Sequence, residues 1–223
     1  MKRELPLSLA GTAVWLLAGR ALYWPSMRWL CVADAHFGKA AAFRALGQPV
    51  PRGTTADNLE RLDALLLAYP TERLVFLGDF LHAPKSHAAP TIAAIAAWRR
   101  RHAAMHCTLI RGNHDRRAGD PRLDLEIVDE PLIEGPLALR HLPIARPGLH
   151  VVAGHEHPVF MLFGRGRQQL RLPCFHVTPD VTVLPSFGAF TGGHPVEPGP
   201  ASRIAVTDGT AVWPVHPPHT IRG

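Results

Sequence analysis

Three short apolar runs in the first half of this chain each break off into a polar motif, and that arrangement constrains the fold more than any other feature. Trp29–Ala33 leads into Asp34-Ala35-His36, Leu74–Leu77 into Gly78-Asp79, and Cys107–Ile110 into Gly112-Asn113-His114-Asp115. Apolar runs of this length suit buried strands. The stretches between them suit helices. Leu59, Leu62, Leu65 and Leu66 recur at helical spacing, Thr54 and Thr55 are candidate N-caps, and Tyr69-Pro70 closes a helix reaching about Ala68. A second helix is expected over Pro90–Ala104, with Arg99-Arg100-Arg101 near its C-terminus, where positive charge suits the helix dipole. Open α/β sheets carry their sites at the carboxyl ends of strands, where all three motifs fall.

The flanking regions read as strands. Leu5–Leu9, Ala13–Leu17 and Ala21–Trp24 come first, with a turn at Pro25-Ser26. Leu137–Arg140 precedes His141, and His150–Ala153 precedes Gly154-His155-Glu156-His157. Val159–Phe163, Gln169–Leu172, Val181–Leu184, Ile204–Thr207 and Thr210–Val215 follow, with Asp208-Gly209 as a hairpin turn. Pro195–Pro200 reads as a loop and the residues from Pro217 as a loose tail. The expectation is one α/β domain of the α+β kind over residues 1–223, with two mixed β-sheets packed face to face and helices outside.

With 47% apolar and 19% charged residues among 223, the chain can build a core and is not disordered. Met1-Lys2-Arg3 before Leu5–Ala18 imitates a signal peptide, but Glu4, Pro6, Ser8 and Thr12 interrupt the apolar run. No stretch reaches the ~20 apolar residues of a membrane span. Cys31, Cys107 and Cys174 are odd in number and widely spaced, which argues against disulfides or a thiolate zinc site and for buried thiols in a cytoplasmic protein. The net charge of +6 is carried mainly by Arg. It fits a polyanion-binding surface, and it fits equally a GC-rich genome that favours Arg, Ala, Pro and Gly.

The five motifs bring together carboxylates, an amide and imidazoles without thiolate, a set that suits Mn, Fe or Zn. Two metals bridged by one carboxylate are the common machinery for hydrolysing phosphate esters. Any one fragment alone is an ordinary loop or turn; the five in order are not. His141 is preferred to His150 as a donor because it follows a strand, whereas His150 opens one. His82 is either a neighbour of Asp79 or a surface residue. Gly192-Gly193 is either a tight turn or a phosphate cradle. Arg116 and Arg117, directly after the third motif, are candidate phosphate contacts. Arg44 and Arg52 could line the same rim, and Arg165, Arg167 and Arg171 form another basic cluster.

This motif order resembles that of the calcineurin-like metallophosphoesterase superfamily. Val32–Lys39, Leu77–His82, Arg171–Phe175 and Leu184–Gly193 resemble, more narrowly, the PdeM family of ligase-associated DNA damage response endonucleases. The resemblance implies a four-layer sandwich and two divalent ions, Mn first, with Fe and Zn as alternatives. It assigns Asp34, His36 and His157 to one ion, Asn113, His141 and His155 to the other, and Asp79 to both. It further implies attack by a bridging hydroxide on a DNA phosphodiester, His114 as acid or charge stabiliser, and Asp115 as the group orienting His114. A role in DNA repair beside a DNA ligase and a helicase, without a membrane, also follows. Small phosphate esters are the competing substrates, since the same donors serve both; a long basic groove speaks for DNA and a closed pocket for a small ester. A non-catalytic scaffold of the same fold is the third reading, and the intact donor set speaks against it.

Overall fold

The computed structural model describes residues 2–50, 53–164, 168–189 and 191–215. The N-terminal strands β1 (Glu4–Leu9), β2 (Thr12–Leu17), β3 (Ala21–Trp24) and β4 (Trp29–Val32) form an antiparallel meander. Pairing then turns parallel, from β4 to β5 (Arg73–Leu77), β6 (His106–Ile110) and β7 (Glu126–Val128). The resulting sheet runs in order β1 to β7. Its helices are α1 (Lys39–Arg44), α2 (Thr54–Ala68), α3 (Ala89–Arg101) and α4 (Asn113–Ala118), with a 3-10 turn at Pro84–His87.

The second half supplies β8 (Leu132–Glu134), β9 (Leu137–Leu139), β10 (His150–Ala153), β11 (Pro158–Phe163), β12 (Gln169–Val177), β13 (Val181–Val183), β14 (His194–Pro195), β15 (Arg203–Thr207) and β16 (Val212–Val215). These nine strands make a second mixed sheet. The strand β12 serves two neighbourhoods: Gln169–Pro173 pairs with β11, and Cys174–Val177 with β15.

Alternation along β4, β5 and β6 explains both layers of core. Cys31, Val75, Leu77 and Ile110 face Leu139, Val152, Phe175 and Leu184 of the second sheet. Leu30, Val32, Leu74, Phe76 and Leu109 face the other way, onto Leu59, Leu62 and Leu65 of α2 and Ile95 and Trp98 of α3. Each fully buried Leu or Phe contributes about 1.5–3 kcal/mol. The three cysteines are buried and unpaired. Burial pushes the Cys31 and Cys174 thiols up to about 12 and Cys107 up to about 11. No described helix is long and apolar enough to cross a membrane.

Some expectations need correction. Thr54 and Thr55 do not cap α2; Gly53, at φ 96°, precedes the helix, and no side chain caps it. The helix α3 ends at Arg101, short of Ala104, because the backbone leaves helical geometry at His102, with φ -109° and ψ 31°, and the His102 carbonyl closes a tight turn by accepting the Met105 N–H at 3.0 Å. The strand β12 continues five residues past Leu172, to Val177, through Pro173. The elements α1, α4, β7, β8 and β14 were not expected. The expectations for Arg52, Arg165, Arg167, Phe190 and the tail from Pro217 lie outside the described residues.

Candidate metal centre

Loops leaving β4, β5, β6, β9 and β10 converge at the carboxyl ends of those strands. They are unusual in backbone conformation. Of the nine described non-glycine residues at positive φ, five are Asp34, His36, Asp79, His155 and His157. Such residues are uncommon and persist where the surroundings over-determine them. Close approach explains two of the glycines in the motifs. A Cβ on Gly112 would stand 2.3 Å from Asp79 Oδ1, and one on Gly154 would stand 2.6 Å from Asp34 Oδ2.

The donors divide into two groups. Asp34, His36 and His157 form one, and Asp79, His141 and His155 the other. In the first, His36 Nε2 lies 3.3 Å from His157 Nε2, and Asp34 Oδ1 lies 3.5 Å from His157 Nε2. In the second, His141 Nε2 lies 2.9 Å from Asn113 Oδ1, 3.0 Å from His155 Nδ1 and 3.5 Å from Asp79 Oδ1. The two carboxylate oxygens of Asp79 have different neighbours, and Oδ1 also accepts the His114 N–H at 2.9 Å. Oδ1 faces His141, while Oδ2 lies 3.8 Å from His36 Nε2 and 3.9 Å from His114 Nε2.

These residues fit divalent cations. Asp34 Oδ1 is buried with no hydrogen-bond partner, while Asp34 Oδ2 accepts the His155 N–H at 2.9 Å. His141 Nδ1–H donates to the Leu77 carbonyl at 3.1 Å, which leaves a lone pair on Nε2. That lone pair faces the Asn113 oxygen, an opposition a shared cation relieves. Burial, then Lys39, then the neighbouring imidazoles drive the His36 pKa far below its ordinary value. Burial foremost also lowers His155. Neutral imidazoles are the form that binds metal. Burial raises the Asp79 carboxyl, His141 opposes that rise, and Asp34 adds to it.

His114 stands beside both groups without joining either pair. Its Nδ1–H donates to the His82 carbonyl at 2.6 Å, so Nε2 is the atom turned toward Asp79. Asp115 does not orient it. Asp115 Oδ1 accepts the Leu81 N–H at 3.1 Å and Oδ2 accepts the Gly112 N–H at 2.9 Å. The carboxylate is thus consumed in tying the start of α4 to the end of the β5 loop, and the His82 carbonyl performs the orienting that the sequence assigned to Asp115.

Of the uncertain histidines, His141 joins the centre. His150 instead bonds Pro179 O at 3.0 Å and Thr182 Oγ1 at 2.8 Å in the core. His82 stacks on His114 with ring centroids 4.9 Å apart, and it can group with His36 and His114. Burial foremost pushes its pKa down to about 4. Sequence reasoning missed three contributors. Glu130 Oε2 accepts the backbone N–H groups of His141 at 2.7 Å and Leu142 at 3.0 Å. Lys39 lies close enough for Asp79 and Asp34 to favour its charge against burial, which lowers its pKa. Asn58 donates to the Ala35 carbonyl at 3.3 Å. The spacing of Lys39 within Asp34–Lys39 was the one available signal.

The basic rim is partly neutralised. Arg116 pairs with Asp129 at 3.1 Å, and Arg111 pairs with Asp120 at 3.0 Å and Asp129 at 3.6 Å. Arg117 is exposed on α4. Arg171 donates to the Gly193 carbonyl. Gly193 is packed against the His157 carbonyl and Val159, so close approach accounts for it.

No family model and no curated protein matches the chain. Among solved structures, nuclease MPE from Pseudomonas putida matches with a TM-score of 0.84 and 48% identity, over 95% of this chain and 100% of that one. Yfce, a phosphoesterase from E. coli, matches with a TM-score of 0.41 and 17% identity, over 80% of this chain and 86% of that one; at that distance it carries no argument. Nearly half of the aligned residues are shared with nuclease MPE across the whole of that protein, and this chain belongs with it to the metallophosphoesterase family, the metal-dependent hydrolases of phosphate esters.

Proposed function

We propose that the chain is a two-metal phosphodiesterase that cleaves DNA, with manganese as its working metal. One observation carries the reading: Asp79 turns one carboxylate oxygen to each of two donor groups. Asp34, His36 and His157 would hold one ion, and Asn113, His141 and His155 the other. Cations held there would supply Lewis acidity toward a phosphate oxygen and lower the pKa of water.

The chain's own residues do the rest. Asp79 shares one negative charge between both groups, and Asn113 contributes a neutral oxygen, so the centre stays attractive to phosphate. His114, fixed through Nδ1 by the His82 carbonyl, directs Nε2 at the reacting region. Protonated there, it donates to the leaving oxygen. Lys39 adds positive charge on the same side. The shared sequence with a nuclease and the +6 charge favour nucleic acid over a neutral small ester. The resemblance of Val32–Lys39 and Leu184–Gly193 to PdeM proteins supports a role in cytoplasmic DNA repair, with a DNA ligase and a helicase as partners.

A second reading, hydrolysis of small phosphate esters, is favoured by the pairing of Arg111 and Arg116 with acidic neighbours, which weakens the rim for DNA. The test is the purified protein with manganese or with chelator, given single- and double-stranded DNA, bis-p-nitrophenyl phosphate and p-nitrophenyl phosphate. The proposal expects metal-dependent cleavage of DNA and of the small diester, with kcat/KM for DNA alone falling as salt rises. Intact DNA beside rapid turnover of the monoester would establish the second reading instead.

A further inference from the structure

The stretch Ser186–Gly188 carries none of the proposed metal donors, yet each of its three residues hydrogen-bonds the backbone of Ala33 or Asp34. The Phe187 N–H donates to the Ala33 carbonyl at 2.7 Å. The Asp34 carbonyl accepts the Gly188 N–H at 3.1 Å and the Ser186 hydroxyl at 2.9 Å. A Cβ on Gly188 would stand 2.8 Å from the Ala35 oxygen, so the two backbones run in direct contact.

Behind this contact, α2 supplies a polar pair that the proposed mechanism leaves unused. Asn58 is 3% exposed. Its Nδ2 donates to the Ala35 carbonyl, while Oδ1 accepts Arg61 Nη2 at 2.7 Å and the Ala189 N–H at 3.1 Å. Two donors on one side and a carbonyl on the other fix the orientation of the amide. Arg61 also donates to the Phe187 carbonyl, and its guanidinium lies 4.2 Å over the Phe187 ring. Among the described residues no carboxylate forms an ion pair with it, and its Nε is buried without a partner. The half-buried guanidinium thus commits its Nη2 to the Asn58 amide oxygen and the Phe187 carbonyl rather than to an acid.

All three carbonyls of Ala33, Asp34 and Ala35 are therefore engaged from this side. Within the same loop Asp34 has φ 54° and His36 has φ 45°. A left-handed non-glycine residue costs about 1–2 kcal/mol, so two in one loop need an external restraint. The Asn113, His141 and Asp79 donors hang on other elements. We propose that Asn58 and Arg61 are positioning residues for the first donor group: through Ala35 and Phe187 they hold the loop that presents Asp34 Oδ1 and His36 Nε2 to a cation. The proposal rests on the two-metal reading.

Asn58→Asp keeps the acceptor for Arg61 and Ala189 and removes the donor to Ala35. Arg61→Met keeps the stem and removes the guanidinium, and Arg61→Lys restores a cation. Gly188→Ala presses on Ala35 from the opposite side. Manganese binding isotherms and electron paramagnetic resonance spectra are recorded on each, with the melting temperature of the metal-free protein alongside. Wild type is expected to take two ions with an exchange-coupled spectrum. Asn58→Asp, Arg61→Met and Gly188→Ala are expected to keep one ion and bind the other about 10–100-fold more weakly, the scale of losing a partner that orients a metal ligand. Their spectrum becomes that of isolated manganese, and Arg61→Lys recovers part of the affinity. Unchanged binding of both ions, whatever the melting temperature, overturns the proposal, and so does equal weakening of both. If wild type takes only one ion, the two-metal reading fails; the brace is then judged on that ion, with unchanged affinity in Asn58→Asp overturning it and about tenfold weaker affinity upholding it. Should Arg61→Met not fold, Asn58→Asp and Gly188→Ala carry the same readout.

Discussion

Gly78→Ala tests the geometry of the centre at its tightest point. Gly78 has φ 78°, and a Cβ there would stand 2.3 Å from His141 Nδ1 and 2.7 Å from His141 Cβ. Ordinary contact begins near about 3.5 Å, so the imidazole must move by roughly 1 Å. His141 has no free space: it is 1% exposed, held by the Leu77 carbonyl at Nδ1 and by Glu130 at its backbone N–H. Movement would open its contacts to Asn113, His155 and Asp79 together. Alanine at positive φ destabilises by about 1–2 kcal/mol, and the overlap adds about 1–3 kcal/mol. Gly11 supplies the control, since it has φ 81° and nothing within 4 Å of its would-be Cβ. Urea unfolding and hydrolysis of bis-p-nitrophenyl phosphate are measured on both variants. Gly11→Ala should lose about 1–2 kcal/mol and keep wild-type turnover. Gly78→Ala should lose more, and its kcat/KM should fall about 10²-fold, the scale of a 1 Å misplacement. Wild-type turnover in Gly78→Ala, with only the stability loss of Gly11→Ala, would refute the reasoning.

Three further outcomes follow from the same contacts. His114→Ala should leave metal uptake intact and slow DNA cleavage by about 10²–10⁴, with a smaller loss for a nitrophenolate leaving group; equal losses for both would remove the acid role. Asp115→Ala strands the Leu81 and Gly112 amides, each worth about 1–3 kcal/mol. It should lower the melting temperature while the ratio of turnover between DNA and a nitrophenolate ester stays at the wild-type value; a ratio moved to that of His114→Ala would return Asp115 to an orienting role. His150 donates through Nδ1 to Pro179 and accepts at Nε2 from Thr182, and burial foremost holds its pKa below the ordinary value. The unfolded chain therefore gains protons first as pH drops below about 6.5. The stability contribution is full above that pH and is lost as pH falls toward the depressed folded value. The melting temperature should decline from pH 7 to 5, less steeply in His150→Gln; identical slopes would contradict this.

The strands and both long helices were legible because their apolar spacing is regular, and α2 stops at Ala68, before Tyr69-Pro70, as expected, although it starts earlier than a Thr54 or Thr55 cap would set. The short elements were not. Six residues in α1 and in α4 complete fewer than two turns, too little for a periodic signal. Pro173 hid the second half of β12, since proline argues against a strand interior. The candidate donors were legible because each motif joins several chemically rare residues. Their supports were not. Asn58, Arg61 and Glu130 look like solvated helix or loop residues in sequence, and their partners lie 23, 126 and 11 positions away. Asp115 was misjudged for a related reason: adjacency to His114 suggested a side-chain pair, whereas the first turn of α4 carries the carboxylate to backbone amides.

The central claim is two cations shared by Asp79. A crystal grown with manganese and measured above the manganese absorption edge tests it most directly. Two anomalous peaks are expected flanking Asp79, one among Asp34, His36 and His157, the other among Asn113, His141 and His155. A single peak in the fully loaded protein, or peaks that leave Asp79 without contact to either ion, would contradict the account.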